Sequence, residues 1–244
     1  FFQAEDGIRY CLLSRGLGDV YKRQTVYHTQ LEPSDEVHQG MVEYIDKFYN
    51  KNVQHLGFVP SFTGEILGDS QIAKQPEFDW VTKQLTSHIK KYIEELGATL
   101  DPTDIHPGSD IYIPQSWPAV CVKGRGIGIH AHSQSHLSAV FYVRTEEGNN
   151  TGQLRVHSPE PNTLTYLPIF HTGKTEYNAR TKYYDAVQNR LLIFPSSLHH
   201  EVTEYVGYKN RYSISYDILI TTKKESGNFC LVNPSQWVCL TSNN

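Results

Sequence analysis

The densest concentration of chemistry-bearing side chains is the stretch Gly128-Ile-His-Ala-His-Ser-Gln-Ser-His136. In an extended backbone, residues two apart project from one face, so His130, His132, Gln134 and His136 are expected to line one side of a strand. Same-face neighbours lie roughly 6.5–7 Å apart. Two imidazoles leaning inward across that gap can reach one metal ion at about 2 Å from each. An HxH pair on a strand therefore offers two adjacent ligands and leaves other coordination positions open. A second cluster, Arg190-Leu-Leu-Ile-Phe-Pro-Ser-Ser-Leu-His199-His200-Glu201-Val202, sets adjacent histidines just before a short strand. Farther on, Arg211-Tyr212-Ser213-Ile214-Ser215-Tyr216 carries Arg-x-Ser in a strand-like run. That spacing puts a guanidinium and a hydroxyl on one face, a fork suited to a carboxylate. A buried arginine needs a counter-anion, because an unpaired charge in a barrel lumen is costly. A salt bridge to Glu201, Asp217 or another acid would satisfy it equally well. Taken singly, each cluster is also compatible with a structural role.

These residues need elements to position them. Ser34 suits the cap of a helix starting at Asp35, with an acidic first turn and an apolar stripe of Val37, Met41, Tyr44, Ile45 and Phe48. A second helix is expected from Pro76 to Leu96, stopped by Gly97, with Phe78, Val81, Leu85, Ile89, Ile93 and Leu96 along one side. Both stripes read as packing surfaces against a sheet. After Leu100 the pattern changes to short runs rich in Val, Ile, Tyr and Phe, punctuated by Pro and Gly. The expected strands are Ile111–Ile113, Ala119–Lys123, His136–Arg144, Gln153–His157, Thr163–Tyr166, Arg190–Phe194, Glu201–Tyr205 and Tyr212–Thr221. Helices followed by many short strands predict a mainly β fold, a sandwich or barrel with two N-terminal buttressing α-helices. The polar stretch Pro168–Tyr184 is candidate lid material. Its His171, Lys174, Arg180 and Lys182 would suit an acidic or peptide-like substrate, although solvation explains a charged loop as readily. The tail Lys223–Asn244 is expected to wrap the barrel or hang free.

Bulk properties narrow the function classes. The chain has 22 basic and 26 acidic residues, a net charge of −4, which leaves no footprint for nucleic acid. No apolar run approaches the ~20 residues that cross a membrane. Cys11, Cys121, Cys230 and Cys239 are scattered with no CxxC, which argues against a disulfide framework or zinc ribbon. Residues 1–24 lack periodicity; Phe1–Arg9 resemble translated sequencing-adapter sequence and Ser14–Gln24 a translated transposon-end primer. That segment is expected to be non-native, from shotgun-assembled DNA, and residues 25–244 to form a single domain, helical over 34–97 with a β core over about 110–222.

In order along the chain come HxH, a Phe-Tyr strand, Gly-x-Leu, Leu-x-Phe-Pro, His-x-Val and Arg-x-Ser. This series resembles the iron- and 2-oxoglutarate-dependent oxygenases, in particular the prolyl-hydroxylase-like branch. It is most similar to a bacterial and phage group of unassigned oxygenases in which Leu-Ser-Gly-Val-Tyr-Tyr follows the HxH. Here that segment is Leu137-Ser-Ala-Val-Phe-Tyr142, and the resemblance spans about Trp117 to Ile218. It implies a double-stranded β-helix, a cupin-like jelly roll, with Fe(II) and 2-oxoglutarate as co-substrate and ascorbate as a further candidate cofactor. By the same resemblance His130 and His200 match metal ligands. Arg211 matches the arginine that pairs with the far carboxylate of 2-oxoglutarate, assisted by Ser213 and Tyr142. His199 should face the other way, since adjacent strand residues diverge. The implied reaction couples decarboxylation of 2-oxoglutarate to succinate with hydroxylation of a C–H bond, in a small-molecule or peptidyl substrate and a cytoplasmic setting in a bacterium or phage-infected host.

One position departs from the family pattern. His132 stands where most of the superfamily has Asp or Glu, completing a two-histidine, one-carboxylate triad on Fe(II). No acidic residue lies within 126–145 to restore it. The third ligand is therefore His132, or Gln134 or His136 as same-face alternates, or the set is two histidines alone. Three further functions stay open: a non-catalytic metal-binding cupin, a zinc-dependent hydrolase using His130, His132 and His200 with Glu201 as acid or base, and a phage structural jelly roll.

Overall fold

The computed structural model describes residues 26–55, 62–101, 108–146, 148, 152–158 and 180–222. Residues 1–24, Thr163–Tyr166, the 168–179 part of the expected lid and the Lys223–Asn244 tail lie outside them.

Strand β1 (Tyr27–Gln30) precedes helix α1 (Asp35–Asn52). Ser34 Oγ accepts the Val37 N–H at 3.3 Å, and Asp35 and Glu36 occupy the first turn as expected. Strand β2 (Phe62–Thr63) and the single-turn helix α2 (Gly64–Leu67) follow, neither legible from periodicity because both are too short to show one. A 3₁₀ turn at Pro76–Phe78 leads into helix α3 (Asp79–Glu95), which ends before Gly97 in the left-handed region at φ 77°. The α3 stripe is buried from Phe78 to Ile93, but Leu96 is 47% exposed, because the helix has ended and its backbone turns away.

The remaining strands are β3 (Ser109–Cys121), β4 (Ile127–His130), β5 (Leu137–Arg144), β6 (Leu154–His157), β7 (Thr181–Tyr184), β8 (Arg190–Pro195), β9 (His200–Val202) and β10 (Arg211–Thr222). Their ladders are antiparallel and form two sheets, a major one in the order β1-β8-β5-β10-β3-β2 and a minor one in the order β4-β9-β6-β7. This is the expected mainly β fold with helical buttresses, a double-stranded β-helix. Thr181–Tyr184, read as lid material, is a strand of the minor sheet. The runs Ile111–Ile113 and Ala119–Lys123 are parts of one long strand, β3, despite Pro114 and Pro118. The Ser116 N–H bonds Ser70 O, and the Pro114 carbonyl accepts from Gln71, both on the side away from β10. Residues two apart share that side, so the N–H groups the prolines lack cost no bond to β10.

The register of the major sheet sorts its side chains by face. Val120, Tyr212, Ile214, Tyr216, Phe141 and Ile193 point outward and join Met41, Ile45, Val81, Leu85 and Ile89 of the helices in the larger core. The inward face carries Trp117, Ala119 and Cys121 on β3, Arg211, Ser213, Ser215 and Asp217 on β10, and Tyr142 on β5, where Ser213 stands across from both Ala119 and Tyr142. Between the sheets, Tyr142, Leu192 and Phe194 pack against Leu154 and Val156 of the minor sheet in a second, smaller core. The site borders that inner core. Among the described residues no helix is long and apolar enough to cross a membrane.

Candidate metal centre and carboxylate pocket

His130 and His200 are direct ladder partners, the last residue of β4 opposite the first of β9. Opposed residues of an antiparallel pair share a face with their Cβ atoms about 4.5–5.5 Å apart. Their rings accordingly approach to 4.3 Å between centroids. His132 arrives differently. The strand stops at His130, and the chain passes through a turn at Ser133 and Gln134 before entering the other sheet at Leu137. His132 lies in this crossing, where its N–H bonds Ser196 O at 2.9 Å. Its ring stacks within 19° of Trp117 and within 6° of His200. One nitrogen from each of the three imidazoles lies within 4.8 Å of the others.

The crossing corrects the expectation of four side chains on one strand face. Gln134 and His136 are exposed and lie outside the cluster. His136 Nδ1 instead accepts the Ile220 N–H at 3.0 Å. The adjacent His199 is exposed while His200 is 5% exposed, as their divergence required.

The hydrogen bonds set the chemistry of each ring. His130 Nδ1 meets the Gly128 carbonyl at 2.8 Å, His200 Nδ1 meets the Leu198 carbonyl at 2.8 Å, and His132 Nδ1 meets Asp217 Oδ1 at 2.8 Å. All three partners are oxygen acceptors, so each Nδ1 carries the proton and donates it. Each Nε2 is left with a free lone pair in the neutral ring. Burial pushes the His200 pKa down to about 3, with Phe194 packed edge-on at 4.9 Å. Burial likewise lowers His130, with the Gly128 carbonyl working in the opposite sense. Neutral imidazoles are the metal-binding form. This donor set fits a divalent transition metal such as Fe(II) or zinc.

Glu201, the neighbour of His200, points to the other face of β9. There it pairs with Arg155 and lies 2.9 Å from His157 Nε2. It is thus not among the groups around the three imidazoles.

Arg211 is 1% exposed. Its Nη1 donates to the Gly152 carbonyl and its Nη2 lies 3.1 Å from Cys121 Sγ, while its Nε is buried with no hydrogen-bond partner among the described residues. Neither acid suggested by the sequence neutralises it, since Glu201 is held by Arg155 and His157, and Asp217 by His132. Among the described residues no carboxylate pairs with this guanidinium. The Tyr142 ring lies 5.3 Å from Arg211 Cζ, and Ser213 shares its strand face. Burial raises the Tyr142 pKa against the pull of Arg211, which keeps the phenol a proton donor. Tyr142 and Phe194 belong to the same inner core, so the guanidinium and the imidazole cluster border one interior.

A double-stranded β-helix with three convergent imidazoles and a buried arginine that no described carboxylate pairs with is the arrangement of a candidate metal site beside a candidate anion pocket. Residues 115–217, which contain all of these side chains, match the family described as "Putative 2OG-Fe(II) oxygenase". No curated protein matches the chain in sequence. Among solved structures it is similar to AviO1 from Streptomyces viridochromogenes Tue57, with a TM-score of 0.54 and 9% identity over 82% of this chain and 91% of that one. It is also similar to SnoK, a non-heme alpha ketoglutarate dependent carbocyclase from nogalamycin biosynthesis, with a TM-score of 0.52 and 12% identity over 82% of each chain. A third is a prolyl hydroxylase from Trichoplax adhaerens in complex with a hypoxia inducible factor peptide, with a TM-score of 0.50 and 15% identity over 80% of this chain and 83% of that one. At such identities the structures share a fold. The family match over residues 115–217 agrees with the resemblance that the motif order carries.

Proposed function

We propose that this protein is a non-haem Fe(II) oxygenase that uses 2-oxoglutarate and dioxygen to hydroxylate a C–H bond, giving the alcohol, succinate and carbon dioxide. The observation that carries the reading is the buried guanidinium of Arg211, which no carboxylate among the described residues pairs with, in the same interior as three imidazoles whose Nδ1 atoms are engaged and whose Nε2 atoms remain for a metal. A buried positive charge of this kind calls for an anion, and a five-carbon diacid supplies one at its far end.

His130, His132 and His200 would hold the iron, and Arg211, Ser213 and Tyr142 would hold the far carboxylate. Iron bound there supplies dioxygen activation and coordination positions for the 2-oxo acid group. The protein's own contributions are orientation and exclusion of water. The forked guanidinium fixes the direction of the diacid, the protonated Tyr142 adds a donor beside it, and Leu154, Val156, Leu192 and Phe194 keep the interior dry. The zinc-hydrolase alternative looked to Glu201 for proton transfer, and that residue is engaged on the opposite face of β9. Anaerobic titration of the purified protein with Fe(II) and 2-oxoglutarate tests the proposal. A weak visible charge-transfer band should grow in and saturate with 2-oxoglutarate; metal binding without that band overturns the reading.

A further inference from the structure

The family resemblance expects a carboxylate in place of His132. An acidic side chain is nevertheless present one bond further out, on a strand far away in sequence. Asp217 Oδ1 lies 2.8 Å from His132 Nδ1, and the two side chains are 10% and 16% exposed. Asp217 stands on the inward face of β10, where the β3 ladder slips register between Asp217 and Leu219. Ser135 Oγ, in the same crossing as His132, lies 3.1 Å from the same carboxylate oxygen and 2.8 Å from Ser196 Oγ, which in turn lies 2.9 Å from Ser138 Oγ. Ser196 also provides the carbonyl that anchors the His132 N–H. The carboxylate, the hydroxyls and the loop carrying His132 thus form one connected network in a mostly buried place.

We propose that Asp217 is the positioning residue of the metal centre. Through Nδ1–H it holds His132 in the tautomer that leaves Nε2 with its lone pair for a metal, and it gives the centre, through the ring, the negative charge that an imidazole in place of a carboxylate omits. A carboxylate accepting from the outer nitrogen of a ligating histidine fixes the ring and raises its basicity. Nδ1 of His132 is engaged by Asp217, which leaves Nε2 as the nitrogen free to meet a metal shared with the other two imidazoles. Asp217 therefore acts on the metal through His132 and not as a ligand. The inference rests on the three imidazoles being the metal site.

The test measures metal affinity directly, by anaerobic calorimetry with Fe(II) or Mn(II) alone, in four proteins: wild type, Asp217→Asn, His132→Asp, and the double variant. Asp217→Asn keeps the shape and an acceptor but removes the charge. With His132 present it should weaken metal binding about 10–100-fold, the usual cost of losing such a partner. With Asp at position 132 the ligand carries its own charge and the two carboxylates oppose each other. There the same change should leave affinity unchanged or raise it. Equal losses in both backgrounds, or a loss below threefold with His132, overturn the proposal. Imidazole ¹⁵N shifts of the metal-free wild type give a check independent of any variant. His132 must be protonated at Nδ1, and an Nε2-protonated ring overturns the assignment. Failure of the underlying metal-site reading has a different signature, in which His130→Ala binds metal as tightly as wild type.

Discussion

Replacement of Arg211 by methionine separates an oxygenase from a β-barrel that merely binds metal. The side chain is buried and its guanidinium meets no carboxylate among the described residues, so its charge is available to a ligand without breaking an ion pair with any of them. Hydrogen bonds to a charged group contribute about 1.5–3 kcal/mol each. A forked contact with one carboxylate makes two, and the lower end of that range gives about 3 kcal/mol. At about 1.4 kcal/mol per tenfold in affinity, the loss is on the order of 100-fold. The assay is titration of the Mn(II)-loaded protein, which does not turn over, with 2-oxoglutarate and separately with pyruvate, which has the same 2-oxo acid head but no far carboxylate. Arg211→Met should raise the 2-oxoglutarate Kd about 100-fold and leave the pyruvate Kd within threefold. Metal affinity should not move. The variant also deprives the Gly152 carbonyl of its donor, at about 1–3 kcal/mol of stability. Arg211→Lys provides a folded intermediate case, because it keeps the charge but not the planar fork. A 2-oxoglutarate shift below fivefold, or an equal loss for pyruvate, refutes the reasoning.

Two further outcomes test the geometry of the metal centre. His136→Ala and Gln134→Ala should each leave metal affinity within twofold of wild type in the same calorimetry, whereas His130→Ala and His200→Ala should abolish it; a loss in either of the first pair would return those side chains to the site. A Cβ at Gly126 would lie 2.5 Å from the Val202 carbonyl, so Gly126→Ala must push β4 from β9 and with it His130 from His200. Overpacking of this kind costs about 1–3 kcal/mol, so the thermal midpoint should fall by roughly 2–12 °C and metal affinity should drop with it. Gly128→Ala, with nothing within 4 Å of the new Cβ, is the matched control and should change neither.

The parts of this fold that could be read from the sequence are those held by local rules. The α1 and α3 stripes obey a 3.6-residue period, and Ser34 and Gly97 mark ends whose backbone groups need them. β5, β8 and β10 are long enough to show their character. β1, β2 and β4 are not, because two to four residues owe their extended state to a neighbouring strand. His130 and His132 stand out by residue type and spacing and His200 by the family resemblance, yet the two-residue alternation explains only part of their meeting. His130 and His200 meet through a β4–β9 pairing seventy positions apart in sequence, and His132 meets them because the chain leaves the strand. Alternation placed Gln134 and His136 with them because it continues a strand past the point where the chain changes sheet. The same rule, applied to β10, puts Arg211, Ser213, Ser215 and Asp217 on one face; it places an acid in the interior, though as a partner for Arg211 and not for His132, which it meets.

The charges in that interior explain why a histidine can stand at position 132. In the triad typical of the superfamily, a divalent metal, a ligand carboxylate, doubly charged 2-oxoglutarate and the anchoring arginine together sum to zero. Exchanging that carboxylate for a neutral imidazole, with nothing else changed, would leave one uncompensated positive charge in a low-dielectric space, where such a charge is costly. Asp217 restores the balance from the other side of the ring. The ligand type has changed and the sum has not, so on the proposed reading the interior still accommodates the metal and the diacid together as a neutral set. What does change is location: the negative charge sits further from the metal, so the metal is less well shielded from the diacid it binds. The site should accordingly hold 2-oxoglutarate through the metal at least as strongly as through Arg211. Arg211 then adds its own share of the affinity, about 100-fold, and fixes which way the diacid points.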